Sequence, residues 1–217
     1  KTFGVRTNRS GEHSFDSREV NREVGSHLDT EERSVDLEEP ETWVNVDVRK
    51  DRAYIFSQKV EGPGGFPAGS QSSVAALISG GIDSPVATYG VMTRGADTVP
   101  IYFYNKPIAA EDHLLRFLSV LNKLEKFNPG RKWNYFVVDM ENVNRKLMEE
   151  VESGRMVVHR RIMFRVAEEI AEKEGLKGIV TGESMGQKSS QTPRNLEATT
   201  EAVDKPVLRP LLTRSSS

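Results

Sequence analysis

Apolar residues change their spacing along the chain. In 42-TWVNVDV-48, Val44, Val46 and Val48 alternate with Asn45 and Asp47, the period of two that marks a strand with one buried face. A turn at RKDR and a second run, 53-AYIFSQ-58, complete a hairpin. Upstream, Val20, Val24 and Leu28 recur at helical spacing behind Ser14 or Asp16, either of which suits a helix cap. The chain opens at Lys1 already inside a strand. Between helix and hairpin, 30-TEERSVDLEEPE-41 carries six acids and one arginine and reads as a solvated loop.

The spacing changes after 61-EGPGGFPAGS-70, where four glycines and two prolines in ten residues predict a linker. Beyond it, short apolar runs alternate with helical ones. A strand over 74–78 leads to a helix over 85–94 that stops at Gly95, then a strand over 98–104. A helix over 111–126 carries Leu114, Leu118 and Leu121, and a strand over 133–138 follows. A helix over 156–174 repeats Ile162, Val166 and Ile170, before a strand over 178–181, a helix over 193–202 and a last strand in PVLRPLL. This alternation predicts an α/β fold, a doubly wound, mostly parallel sheet with helices on both faces and ligands at the carboxyl ends of the strands.

Composition narrows the classes. With 217 residues and 36% hydrophobic content the chain can bury a real core as one large or two small domains. No apolar run reaches the roughly 18 residues a membrane span needs, and KTFGVRTNRS has no signal-peptide hydrophobic region. A cytoplasmic location with no membrane partner is the default expectation. The absence of cysteine excludes a disulfide, a zinc-thiolate site and a thiol nucleophile in these residues. A formal charge of −2 does not discriminate for or against nucleic acid. The start at Lys1 and the end in TRSSS directly after a strand read as cuts at both ends.

The candidate chemistry lies in 76-ALISGGIDSPVATYG-90. A buried strand runs into a glycine-rich turn and then a helix, with Pro85 suited to the first helical position and Ser84 or Asp83 to the cap. Such a junction presents uncovered N–H groups and the positive end of a helix dipole, which suits phosphate. SGGIDS lacks the GK[ST] ending of the Walker loop and the GxGxxG of dinucleotide folds.

The loop resembles the signature of the ATP pyrophosphatases, which cleave ATP between the α and β phosphates and transfer AMP to activate an oxygen. Within them, SGGIDSPVA and the later TGESMGQKSSQT resemble the tRNA 4-thiouridine synthases, whose pattern is TGE-x-x-GQ-x-x-SQT. KTFGVRTNRSGEHSF through DRAYIFSQKVEGPGGFPAGSQ is similar to the THUMP RNA-binding module of the same enzymes. The resemblance implies a partial α+β THUMP domain over 1–62, a linker over 63–73 and, over 74–214, a PP-loop domain of the adenine nucleotide alpha hydrolase type.

It also implies a reaction: ATP adenylates O4 of uridine 8 in tRNA, and a persulfide sulfur then displaces AMP to give 4-thiouridine. By resemblance, Ser79, Gly80, Gly81, Asp83 and Ser84 hold pyrophosphate. The backbone of Leu77 and Ile78, with Tyr102 and Phe103, lies beside the nucleotide, and Arg160, Gly182 and Gln191 complete the ATP site. Asp83 is the expected catalytic residue, through coordination of Mg²⁺ directly or through water. Arg6, Arg9 and Arg18 are the expected tRNA contacts, a cysteine desulfurase is the expected kind of sulfur donor, and a homodimer and a role in thiamine biosynthesis are further expectations. In the family a cysteine and a lysine follow the RPL strand, and neither is found here.

Plainer readings stand beside these. Asp83 suits a helix cap, Tyr102 and Phe103 suit a core, and Arg160, Arg161 and Arg165 suit a solvated helix face, the reading taken for Arg165. His159 has no ligand partner at suggestive spacing. Residues 1–70 hold ten Lys and Arg against fourteen Asp and Glu, so no basic footprint supports RNA binding there; only the N-terminal stretch leans positive. Two other functions remain open: a different ATP pyrophosphatase acting on a small molecule, and a non-catalytic tRNA-binding protein with a structural nucleotide.

Overall fold

The computed structural model describes residues 1–62, 64–106, 112–128, 130, 133–187 and 191–213. The chain divides into two units, Lys1–Pro63 and Gly64–Ser217. Expectations that touch residues 63, 111, 188–190 and 214 lie outside the described residues.

The first unit contains β1 (Thr2–Arg9), α1 (Ser17–Leu28), β2 (Ser34–Val35), β3 (Thr42–Val48) and β4 (Ala53–Phe56), in the sheet order β2-β1-β3-β4. Strand β1 runs parallel to β2 and β3, and β3 pairs antiparallel with β4 across the expected hairpin. Helix α1 starts where Asp16 accepts from the Glu19 N–H at 2.8 Å and Glu19 accepts in return from the Asp16 N–H at 2.7 Å. This reciprocal pair satisfies two donors at the helix start, and the Glu19 N–H is the main cause of a lowered Asp16 pKa. Val20, Val24 and Leu28 then pack on Phe3, Val5, Val46 and Val48, so the apolar faces read from the sequence meet. One expectation is corrected. The acidic 30–41 segment is not wholly a loop, because Ser34 and Val35 pair with Thr2 and Phe3 as a short edge strand.

The second unit contains β5 (Gln71–Leu77), α2 (Asp83–Met92), β6 (Ala96–Tyr104), α3 (Asp112–Glu125), β7 (Phe136–Asp139), α4 (Glu141–Glu150), α5 (Arg155–Lys173), β8 (Ile179–Val180), α6 (Pro193–Thr200) and β9 (Val207–Leu208). Its sheet is parallel throughout, in the order β7-β6-β5-β8-β9. The apolar run of β5 is explained by burial on both faces. Val74 and Ala76, with Ile78 just past the strand, join α2 and α3 on one side, whereas Ala75 and Leu77 join Phe164, Ala167 and Ala171 of α5 on the other.

The sequence pattern missed α4. Its segment, ENVNRKLMEE, puts Asn144 rather than an apolar residue at a core-facing position, where it is 3% exposed and donates to the Lys106 carbonyl at 3.0 Å. Strand β7 starts three residues later than expected, because Trp133 instead turns its indole N–H to the Thr98 carbonyl. The final strand is only two residues long. No helix among the described residues is long and apolar enough to cross a membrane.

Candidate active site

Strand order reverses at β5, with β6 on one side and β8 on the other, which makes the carboxyl ends of β5 and β8 the switch point of the sheet. Both motif segments leave the sheet there. Gly182, just past β8, lies so close to the start of α2 that a Cβ would collide with the Ser84 backbone nitrogen and lie 2.6 Å from its Cα. The glycine is therefore required for this approach. Residues about a hundred positions apart in the sequence form the wall of one cavity of about 310 Å³.

The loop after β5 is folded on its own side chains. The Ser84 hydroxyl accepts from the Ser79 N–H at 2.8 Å and pairs with the Ser79 hydroxyl at 3.1 Å. This corrects the expected helix start: α2 begins at Asp83 behind Ile82, no side chain caps it, and Pro85 is its third residue rather than its first. An uncapped helix N-terminus beside a cavity offers N–H donors and a positive dipole end to an anion. Asp83, in its first turn, also lines the cavity.

Every residue expected to touch nucleotide lines this cavity: Leu77, Ile78, Ser79, Gly80, Gly81, Asp83, Ser84, Tyr102, Phe103, Arg160, Gly182 and Gln191. Tyr102 and Phe103 are also core residues, each 4% exposed and belonging to opposite faces of the sheet. Tyr102 stacks on Phe117 with ring centroids 4.7 Å apart. Its burial, with Tyr104 and Asp112 adding to the effect, pushes the phenol pKa up. Gln191 is 4% exposed, and its Oε1 has no hydrogen-bond partner among the described residues. A buried acceptor left unpaired is costly, and one lining a cavity fits a ligand that brings an N–H or O–H donor.

Several residues in or beside the cavity take partners that the sequence did not predict. Glu183, 1% exposed, accepts from both Arg160 and Arg209, so Arg160 is not on a solvated face. Arg161 is likewise engaged, donating to the Ala198 carbonyl, while Arg165 is exposed as expected. His159, for which the sequence spacing offered no carboxylate or metal-ligand partner, lines the cavity and lies 2.9 Å from Asn105 Oδ1 through Nε2. Burial and then the neighbouring Arg160 hold its pKa below the usual histidine value. From α3, Arg116 packs beside Gly80, with its Cβ 3.5 Å from where a Gly80 Cβ would lie.

The expected RNA-binding arginines do not form one patch. Phe3 and Val5 face α1, so by strand alternation Arg6 projects from the opposite face. There its guanidinium lies 3.9 Å from the Trp43 ring centroid, beneath a ring that crosses Gly4 so closely that a Cβ would lie 2.6 Å from it. Arg9 donates to the Phe15 carbonyl and Arg18 lies on α1; both act on the Asp16 carboxylate.

A cation is tested by the acids present. Among the described residues no group of three or more His, Cys, Asp or Glu is placed to hold a metal, and Glu183 is committed to two arginines. That leaves Asp83 as the uncommitted carboxylate of the cavity lining; together with phosphate oxygens of a bound nucleotide and water it would make a donor set that fits Mg²⁺, which keeps several waters and binds through few carboxylates.

The family model described as thiamine biosynthesis protein (ThiI) matches residues 69–216, and the THUMP domain model matches residues 1–58. The chain belongs to the ThiI family. The tRNA sulfurtransferase of Thermoplasma acidophilum is 41% identical over 217 residues, covering 98% of this chain and 44% of that protein. A probable tRNA sulfurtransferase of Halobacterium salinarum is 41% identical over 216 residues, covering 97% of this chain and 55% of that protein. This ThiI chain thus spans about half the length of the curated relatives it matches. Among solved structures, a 4-thiouridine synthetase in complex with RNA and bound ATP superposes with a TM-score of 0.79 at 33% identity, over 98% of this chain and 56% of that one. The fold expected for a ThiI chain, a THUMP domain followed by a mostly parallel α/β sheet, is the fold found.

Proposed function

We propose that this chain is the ATP-binding and RNA-binding portion of a tRNA sulfurtransferase, which adenylates uridine 8 of tRNA for conversion to 4-thiouridine. The observation that carries the reading is the meeting of the 79–84 loop, the uncapped start of α2, Gly182 and the unpaired Gln191 acceptor in one cavity. The relatives' names and the ATP- and RNA-bound neighbour support it. Residues 1–62 serve as the RNA module; the linker expected over 63–73 ends at Ser70, because β5 already begins at Gln71, and the nucleotide domain runs from there to 214.

In this mechanism the loop N–H groups and the α2 terminus hold the β and γ phosphates, the future pyrophosphate. Gln191 Oε1 accepts from the adenine or ribose, and Arg160 meets the phosphate charge. Uracil O4 attacks the α phosphorus, the bond from that phosphorus to the bridging oxygen breaks, pyrophosphate leaves, and uracil N3 loses its proton. AMP turns a poor leaving oxygen into a good one. Asp83 would hold Mg²⁺, which when bound would supply charge neutralisation to the leaving pyrophosphate. These 217 residues contain no cysteine, so the sulfur is delivered by a thiol outside them, charged by a donor of the cysteine desulfurase kind. Homodimer formation belongs to the same proposal.

The test is thermal and chemical unfolding with nucleotide. ATP with Mg²⁺ at a hundredfold excess over Kd is expected to stabilise the fold by about 2.7 kcal/mol. If ATP and AMP leave the unfolding midpoint unchanged while GTP raises it, the nucleotide assignment is wrong.

A further inference from the structure

Glu183 sits between two guanidiniums. Its Oε1 accepts from Arg160 Nη1, and its Oε2 accepts from Arg209 Nε at 2.7 Å. Arg209 also donates from Nη2 to Thr200 Oγ1 at 2.9 Å. The arginine side chains retain only 17% and 12% exposure, and the carboxylate 1%. Arg160 and Glu183 line the nucleotide cavity; Arg209, next to β9, does not.

Two cations sharing one carboxylate leave one positive charge uncompensated in a largely buried place. Such a charge is costly unless the site is built to receive an anion. Arg160 carries five donors, and the bond to Glu183 is the one it makes among the described residues, so the rest of its fork is available on the cavity side. The division of the carboxylate matters. While Arg209 takes half of Glu183, Arg160 keeps net charge toward the cavity; without Arg209 the same carboxylate would neutralise Arg160 alone.

We propose that Glu183 is a positioning residue for Arg160, and that Arg209, which lies outside the cavity lining, sets the affinity for nucleotide phosphate by drawing off part of the Glu183 charge. This rests on the ATP reading above and assigns to the segment just after β9 an indirect electrostatic part in nucleotide binding, exerted through Glu183.

The test is calorimetric titration of the 217-residue chain with ATP and, separately, with adenosine, which has no phosphate. Arg209→Gln removes the charge but keeps an N–H donor toward Glu183, and it is expected to weaken ATP about tenfold, the order for losing one charge at this depth, with adenosine unchanged. Adding Glu183→Gln to Arg209→Gln restores the single positive charge and is expected to recover most of the ATP affinity. A purely structural role for Arg209 would weaken both ligands alike and leave the double variant no better than the single one; either result overturns the proposal. So does wild-type ATP affinity in Arg209→Gln. Failure of the unsubstituted chain to bind ATP would instead overturn the nucleotide reading beneath it. Circular dichroism checks folding, and Arg209→Met carries the same expectations where Arg209→Gln does not fold.

Discussion

The two units both rest on sheets with parallel neighbours, but they bury those sheets differently. In the first, a single helix covers one face, and the buried apolar residues are Phe3, Val5, Val46 and Val48. In the second, apolar clusters lie on both faces, and Ala75, Ala76, Ile101 and Ile179 have no exposed surface. Strands covered on both sides have no room for polar chemistry along their length. It is displaced to the strand ends, where loops meet at the switch point and form a concave site. In the first unit the polar chemistry is spread over both faces of the sheet, with Arg6 exposed on one face and Arg18 of the covering helix lining a shallow groove with Asn21 and Arg22 on the other. A cavity concentrates recognition in a few groups, whereas an open sheet distributes it.

The largest expected effect tests the cavity. Asp83→Asn keeps the size of the side chain and removes its charge; in the complete enzyme, ATP–pyrophosphate exchange should fall by on the order of 10²-fold or more, the scale of losing one electrostatic catalytic group, with folding intact. Unchanged exchange would leave Asp83 as a residue that merely favours the helix start.

A paired glycine experiment places the same insult in each unit. Gly182→Ala and Gly4→Ala each force a methyl group against close neighbours, the Ser84 backbone in one case and the Trp43 ring with the Asp36 carbonyl in the other. Each should cost about 1–3 kcal/mol in urea unfolding. Only Gly182→Ala should abolish stabilisation by ATP. Equal loss of the ATP effect in both variants would end the claim that the nucleotide site belongs to the second unit alone.

The smallest effect concerns RNA. Few phosphates are within reach of Arg6, Arg9 and Arg18, so tRNA affinity should fall with salt at a slope of magnitude about 2 to 3, as expected for two or three contacts. Reversing Arg6 and Arg9 together to Glu should weaken tRNA binding and leave ATP binding alone. Because the two residues project from opposite faces of β1, one single reversal should account for nearly all of the loss. Intact affinity in the double reversal, with loss in variants of Arg160 or Arg161, would move RNA recognition to the second unit.

Local rules and short motifs carried much of this molecule in the sequence itself. The Val44, Val46, Val48 alternation, the Val20, Val24, Leu28 stripe and the apolar run into SGGIDS each depend on neighbours within a few positions, and each produced its element, although β5 begins at Gln71, three residues ahead of the apolar run. Where a local rule had two solutions the sequence was ambiguous. Ser84 suited a helix cap as well as a loop hydroxyl, and only its bond to the Ser79 N–H decided between them. Helix α4 escaped notice because one of its two buried positions is Asn144, held by hydrogen bonds, which leaves only Val143 and Leu147 as a short apolar stripe. Tertiary structure alone decided that Gly182 presses on Ser84, that Glu183 is shared by Arg160 and Arg209, and that Arg6 turns away from Arg18. The physical reason is range: periodicity and capping act between residues close in sequence, whereas burying a charge or closing two loops together depends on which distant segments the sheet order brings side by side.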